Sequence, residues 1–389
     1  MKKYLGVILF AIGLGITIGV IYANSRFVKK TRTFSPYTLL TSSWEKYKIR
    51  FINNDGRVID YSQDGITTSE GQSYAMLQAV WMDDREIFDL VWSWTKNTLK
   101  RPDDNLFGWR WGNKGQDEYG LLPNGGDNSA SDADTDVALA LILAAKRWNN
   151  SKYLDEAKLI IADIWKLEVY EAGTDNYLIA GNWASGGDKI IVNPSYFSPY
   201  AWRLFAQVDK NNWNSLIDPG YRLLSRISEN NLDKSTTSGL PPDWVAVYKN
   251  DGRAEATNMN GLTTNYGYDA IRIPWRIAID YLWNKESKAK SYLSSLSYMK
   301  KYYQDNKKLP GTFSHDGGVV NGNENPAMYG TALGYFMVVD PELAEEIYQE
   351  KVIQQYVNDT NSFSDDLPYY EVNWLWFGTA LYLHYLIPF

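Results

Sequence analysis

Cysteine is absent from this chain, so disulfides, thiolate nucleophiles and cysteine-held zinc are all excluded, and the fold must be held by its core. Histidine is nearly absent as well. With only His315 and His384, and no Gly-x-Ser-x-Gly elbow, a serine-histidine hydrolase has almost nothing to work with. Neither a Gly-x4-Gly-Lys-[Ser/Thr] loop nor a Gly-x-Gly-x-x-Gly fingerprint is present, so nucleotide binding lacks its usual phosphate cradle. Positive charge is in deficit: 39 Lys and Arg face 46 Asp and Glu, a formal charge of -7, which argues against a nucleic-acid partner. No repeat of fixed period and no convincing run of alternating strands can be found, which disfavours a solenoid or a β-sandwich.

The chain is rich in flat rings, with 16 Trp and 29 Tyr, whose apolar faces and polar edges suit sugars as well as cores. Residues Tyr4 to Ala23 carry no charge, a run long enough to cross a bilayer core of about 30 Å. An uncleaved anchor is the expectation, because a cleaved signal peptide has a shorter apolar core of about 7–15 residues. Residues 1–30 are therefore read as anchor or signal, 31–42 as a tether without apolar period, and 43–389 as one catalytic domain.

Within that body, helical periodicity recurs over 43–52, 72–82, 84–99, 134–149, 152–170, 198–208, 211–229, 274–284, 286–304, 327–338, 340–357 and 372–386. Val137 to Ala145 is apolar on every face, whereas 154–168 sets Ala157, Ile160, Ile161, Ile164 and Trp165 against a charged stripe. Six buried helices alternating with six amphipathic ones predict an inner ring inside an outer ring, an all-α single-domain toroid. A stack of helical hairpins is the competing layout.

Carboxylates are the remaining chemistry. Ser69-Glu70-Gly71-Gln72 has the Ser-x-x-Gln form of a capping box, placing Glu70 at the first position of a helix. Ser131-Asp132-Ala133-Asp134-Thr135-Asp136 opens the buried helix, and Tyr268-Asp269 precedes a third, with Pro274 early in it. If all three helices are inner, their amino ends share one mouth. Each acid also has a plain reading as a cap that favours the helix dipole. An EF-hand reading of Asp132, Asp134 and Asp136 fails, since Val137 replaces the turn glycine and Leu143 the closing glutamate.

These residues resemble glycoside hydrolase family 8. Ala130 to Trp148 follows that family's signature Ala-[Ser/Thr]-Asp-[Ala/Gly]-Asp-x-x-[Ile/Met]-Ala, departing only at Val137. Trp44, Tyr47, Lys48, Phe51, Gly56, Arg57, Val58 and Asp60 look like its opening, and Tyr268-Asp269-Ala270-x-Arg272-x-Pro274-Trp275-Arg276 looks like the segment holding its base. The resemblance implies an all-α (α/α)6 barrel and an inverting endo-hydrolase of β-linked polysaccharide. In it Glu70 would be the proton donor, Asp132 the residue that holds and distorts the sugar, Asp269 the base and Arg272 a contact to substrate and base. Trp109, Trp202 and Tyr268 would be stacking platforms. No metal or organic cofactor is implied. The expected partners are a polysaccharide and, through the first segment, a membrane, with the chain acting as a monomer on the outer face of the cell.

Inversion needs an acid and a base roughly 6.5–9.5 Å apart, with water between. A helix amino end favours the ionised form, which suits Asp269 and opposes Glu70, so Glu70 needs a counterweight from Asp132 and aromatic walls. The competing functions are a non-catalytic sugar-binding protein of the same fold and a metal-dependent hydrolase built on the Asp cluster. Among substrates, β-1,4-glucan or a related bacterial exopolysaccharide is preferred over xylan or chitosan.

Overall fold

The computed structural model describes residues 35–357, 360 and 362–389. The expected membrane segment Tyr4 to Ala23 lies outside them, and none of the described helices is long and apolar enough to cross a membrane. Residues Pro36–Phe389 form one compact unit.

Thirteen α-helices lie among the described residues, and burial sorts them into two rings. The inner ring is α2 (Ser69–Trp81), α4 (Ser131–Arg147), α6 (Pro199–Val208), α8 (Arg272–Asn284), α11 (Pro326–Val339) and α13 (Tyr369–Tyr382). Between them run the outer helices α1 (Pro36–Phe51), α3 (Arg85–Thr98), α5 (Ser151–Glu168), α7 (Ile217–Glu229), the pair α9 (Ser287–Ser295) and α10 (Ser297–Asn306), and α12 (Pro341–Ile347). The cause is legible in side chains: every residue of α4 from Ser131 to Ala144 is buried, while α5 buries only the stripe of Tyr153, Ala157, Ile160, Ile161, Ile164 and Glu168. This is the (α/α)6 barrel.

Each outer helix returns the chain, so all six inner helices run in one direction and their amino ends share a mouth. The ring closes between the two ends of the unit. Tyr369 of α13 lies against Tyr47 of α1, with ring centroids 6.2 Å apart, and Asn373 accepts a hydrogen bond from Gln78 of α2 at 2.8 Å. Helices α11 and α13 touch backbone to backbone at Gly330 and Gly378, where an added Cβ would come within 2.1 Å of a carbonyl oxygen. Only glycine permits that approach.

Five expectations are corrected. Residues 36–42 are not tether: α1 begins at Pro36, Leu39 and Leu40 are fully buried, and Trp376 donates to the Leu40 carbonyl. The helix read over 286–304 breaks at Leu296, and the one read over 340–357 ends at Ile347 in a π turn and a 3-10 turn. Ser69-x-x-Gln72 is not the capping box. The cap is Thr68, whose side chain accepts from the Gly71 N–H, while Gln72 is buried and accepts from the Val58 N–H, so Glu70 is the second helical residue. Finally, among the described residues twelve strands of two to six residues form five small antiparallel sheets in the connections. Such pieces are too short to show alternation, yet one of them places the site. Thr67–Thr68 pairs with Arg110–Trp111, and Ser69 N–H donates to the Trp109 carbonyl, which brings Trp109 beside Glu70.

Candidate active site

The amino ends of α2, α4 and α8 open into a cleft of about 600 Å³, and Glu70, Asp132 and Asp269 line it together with Trp109, Tyr268 and Trp244. At its floor lies Arg272, the first residue of α8 and 1% exposed. One Arg272 nitrogen, Nη1, donates to Glu70 Oε2 at 2.5 Å and to Asp132 Oδ2 at 2.9 Å; the other, Nη2, donates to Asp269 Oδ1 at 2.5 Å. A planar guanidinium, with five donors fixed in a fork, can hold three carboxylates at once in set directions.

A second rung lies one turn deeper. Arg276 binds Asp136 through two parallel hydrogen bonds of 3.0 and 2.7 Å and reaches Ser198 and Tyr200 as well. The spacing of four on both α4 and α8 puts Asp132 over Asp136 and Arg272 over Arg276. The two helices are thereby locked in register across the interior.

The three aspartates of α4 diverge, which disposes of a shared cation among them. Asp134 accepts from the Phe107 N–H at 3.0 Å and faces Glu168, whose Oε1 accepts from the Ser129 hydroxyl at 2.6 Å. Both carboxyls are fully buried. Burial, above all, pushes Glu168 up to about 8 and Asp134 well above the usual carboxylate range, so the pair holds a proton at neutral pH. An acid whose value is raised in the fold contributes stability in full below its unfolded value near 4.5, and loses it as pH rises through about 8. Glu168→Gln removes one of the two ionisable groups. It is expected to shrink the fall in melting temperature between pH 5 and 8.5 by several degrees; equal falls in both proteins would show that no proton is held there.

The same physics acts on the site itself. Enclosure by the protein, the largest influence, pushes Glu70 up to about 7; Arg272 pulls it down, and Asp132 and Asp269 push it up. Burial likewise raises Asp132, against the pull of Arg272. The counterweight that Glu70 needs at a helix amino end is therefore present.

Of the expected residues, Glu70, Asp132, Asp269, Arg272, Trp109 and Tyr268 meet in one cleft. Trp202 does not. It is 2% exposed, packs edge-on against Phe197 at 5.2 Å, and faces Gly220, Leu223 and Leu224 of α7, because its place on α6 points outward between the rings. It is core and not a platform. The sequence did not single out Tyr196 and Trp244, whose ring centroids lie 6.1 Å apart in the cleft wall, or Tyr369, Tyr370 and Glu371, which also line it, and it offered Asp60, a further lining residue, only as part of the opening segment. The turn signal Asn193-Pro194-Ser195, with Asn193 capping the single 3-10 turn Pro194–Tyr196, was the local mark available for Tyr196.

A helical toroid whose inner amino ends gather three carboxylates on one arginine, between aromatic walls, is the frame of a carbohydrate-cleaving site. The chain belongs to family 8 of the glycosyl hydrolases, whose profile matches residues 20–376. It is similar to endoglucanase 2 of Ruminiclostridium josui, 32% identical over 342 residues, with 85% of this chain and 68% of that one covered. It is also similar to an endoglucanase of Cellulomonas uda, 34% identical over 245 residues, with 62% of this chain covered. The chain spans about two thirds of the length of these curated relatives, 68% and 64%. Among solved structures, an endoglucanase of family 8 from Klebsiella pneumoniae superposes with a TM-score of 0.68 at 27% identity, covering 88% of this chain and 99% of that one. An endo-1,4-D-glucanase from Vibrio fischeri ES114 gives 0.73 at 25%, covering 88% and 94%.

Proposed function

We propose that this chain hydrolyses a β-linked glucan internally and with inversion, Glu70 acting as general acid, Asp269 as general base and Asp132 as the group that holds the sugar between them. The observation that carries the reading is the Arg272 junction, which gathers Glu70 and Asp269 on different nitrogens of the same guanidinium, while enclosure pushes the Glu70 carboxyl up to about 7. Glu70 donates its proton to the departing glycosidic oxygen. Asp269, steadied by Arg272 Nη2, takes a proton from water that attacks the anomeric carbon from the opposite face. Trp109 and Tyr268 offer rings on which glucosyl units stack.

Charge narrows the substrate. Asp60, Glu70, Asp132, Asp269 and Glu371 line the cleft, with Arg272 the one cation there among the described residues, so a neutral polymer fits and an anionic one is repelled. The names of the relatives, endoglucanases, support glucan. With Tyr4 to Ala23 as an anchor, the enzyme works at the outer cell surface on the cell's own exopolysaccharide.

The test is product stereochemistry across a panel of cello-oligosaccharides, mixed-linkage glucan, xylan, chitosan and the producing cell's exopolysaccharide, using its membrane fraction. NMR of the fresh reducing end is expected to show the α anomer first. The β anomer first would mean retention and would remove Asp269 from the role of base.

A further inference from the structure

We infer that Asp243 and Trp244 are positioning residues for Asp269, the first fixing the turn that carries it and the second its carboxylate; this rests on Asp269 being the base. Asp269 is not on a helix. It sits in the turn Gly267 to Ile271 ahead of α8, where nothing intrinsic to the sequence holds a side chain still. Asp243, 26 residues earlier and buried, supplies the hold: its Oδ1 accepts from the N–H groups of Gly267 at 3.1 Å, Asp269 at 3.1 Å and Ala270 at 2.7 Å. Its other oxygen closes on Gly267, where a Cβ would lie 2.8 Å from Oδ2.

Trp244 completes the grip. Its indole N–H donates to Asp269 Oδ2 at 2.9 Å while Arg272 holds Oδ1, so each oxygen of the base has its own donor. The two residues are themselves tied down. The Asp243 N–H donates to Asn265 O at 2.7 Å, the Trp244 N–H to Thr263 O at 3.0 Å, and the Trp244 ring packs against Trp183 and Tyr196.

Burial first, and then the Asp269 charge, push the Asp243 carboxyl up to about 7. Below that pH it is a neutral acceptor, which an asparagine reproduces in shape and charge. The other groups facing the pair are Arg272, Glu70, Tyr196, Tyr266 and Tyr370.

The experiment is steady-state kinetics at pH 6 on a soluble glucan, with Asp269→Asn as reference. Asp243→Ala is expected to lower kcat on the order of 100-fold with KM changed less than threefold, because misplacing a reacting group by about 1 Å costs that much. Asp243→Asn is expected to restore kcat to within fivefold. Trp244→Phe keeps the ring and removes one donor from the base, so the acid limb of its kcat/KM profile is expected to move to higher pH. Wild-type kcat in Asp243→Ala overturns the proposal, and so does an asparagine variant as damaged as the alanine. An unmoved acid limb in Trp244→Phe overturns its half. If Asp243→Ala does not fold, the asparagine and phenylalanine variants still decide. Failure of the functional reading is separate: it shows as an active Asp269→Asn.

Discussion

Glu70→Gln is expected to lower turnover about 10²–10⁴-fold, the usual worth of a positioned general acid, while polysaccharide binding stays within a fewfold of wild type. The amide keeps the shape of the carboxyl, and its oxygen still accepts from Arg272 Nη1, so the junction at the cleft floor is preserved. What it lacks is the proton. The stability consequence has a definite sign. Glu70 is raised in the fold to about 7, so its contribution is present below its unfolded value near 4.5 and is lost as pH rises through 7. A neutral glutamine escapes that loss. The variant is therefore expected to melt with wild type at pH 4.5 and at a higher temperature at pH 8, an inactive enzyme more stable than the active one. Kinetics with calorimetric binding, beside melts at the two pH values, check both halves. Turnover within tenfold of wild type would take the acid role from Glu70.

What was legible in the sequence is what burial along a helix imposes. The rings could be read because burial leaves a direct trace: α4 is apolar all round and α5 only along a stripe. Three acids at the starts of buried helices could be read because one chain direction sends every inner amino end to one mouth. The failures are of another kind. Gln72 looked like a cap residue, but the core needs its amide, which reaches Gly56 O, Val91 O and Thr95 Oγ1 from α2. Trp202 looked like a platform because an aromatic carries no mark of the side it faces; three residues past Pro199, it points at α7. Asp243 and Trp244 left no trace because their partners lie 24 to 27 residues away through loop backbone, where no period operates. Local pattern finds what a helix imposes. It does not find what one loop does for another.

The largest effect of any single change is expected at Arg272. Replacing it with methionine keeps much of the volume and removes the cation that Glu70, Asp132 and Asp269 share from α2, α4 and the turn before α8. Breaking a buried ion pair by deleting one partner costs about 3–5 kcal/mol, because the remaining charge is left uncompensated. The cost here depends on pH. Arg272 pulls both Glu70 and Asp132 down against burial, so without it both rise further above their unfolded values. Their stability contribution is then present in the acid and lost over a wider span as pH rises. Arg272→Met is therefore expected to melt a few degrees below wild type at pH 4.5, with Glu70 and Asp132 protonated, and to lose the full amount by pH 8. Activity should fall further than in Glu70→Gln, since acid, base and sugar-holding group all lose their common anchor. Arg272→Lys restores the charge as a point without the fork, and is expected to recover stability more than turnover. Melting curves from pH 4.5 to 8 for the three proteins decide the matter: a deficit in Arg272→Met that does not grow with pH would mean that the arginine acts by packing, and that the carboxylates are not coupled through it.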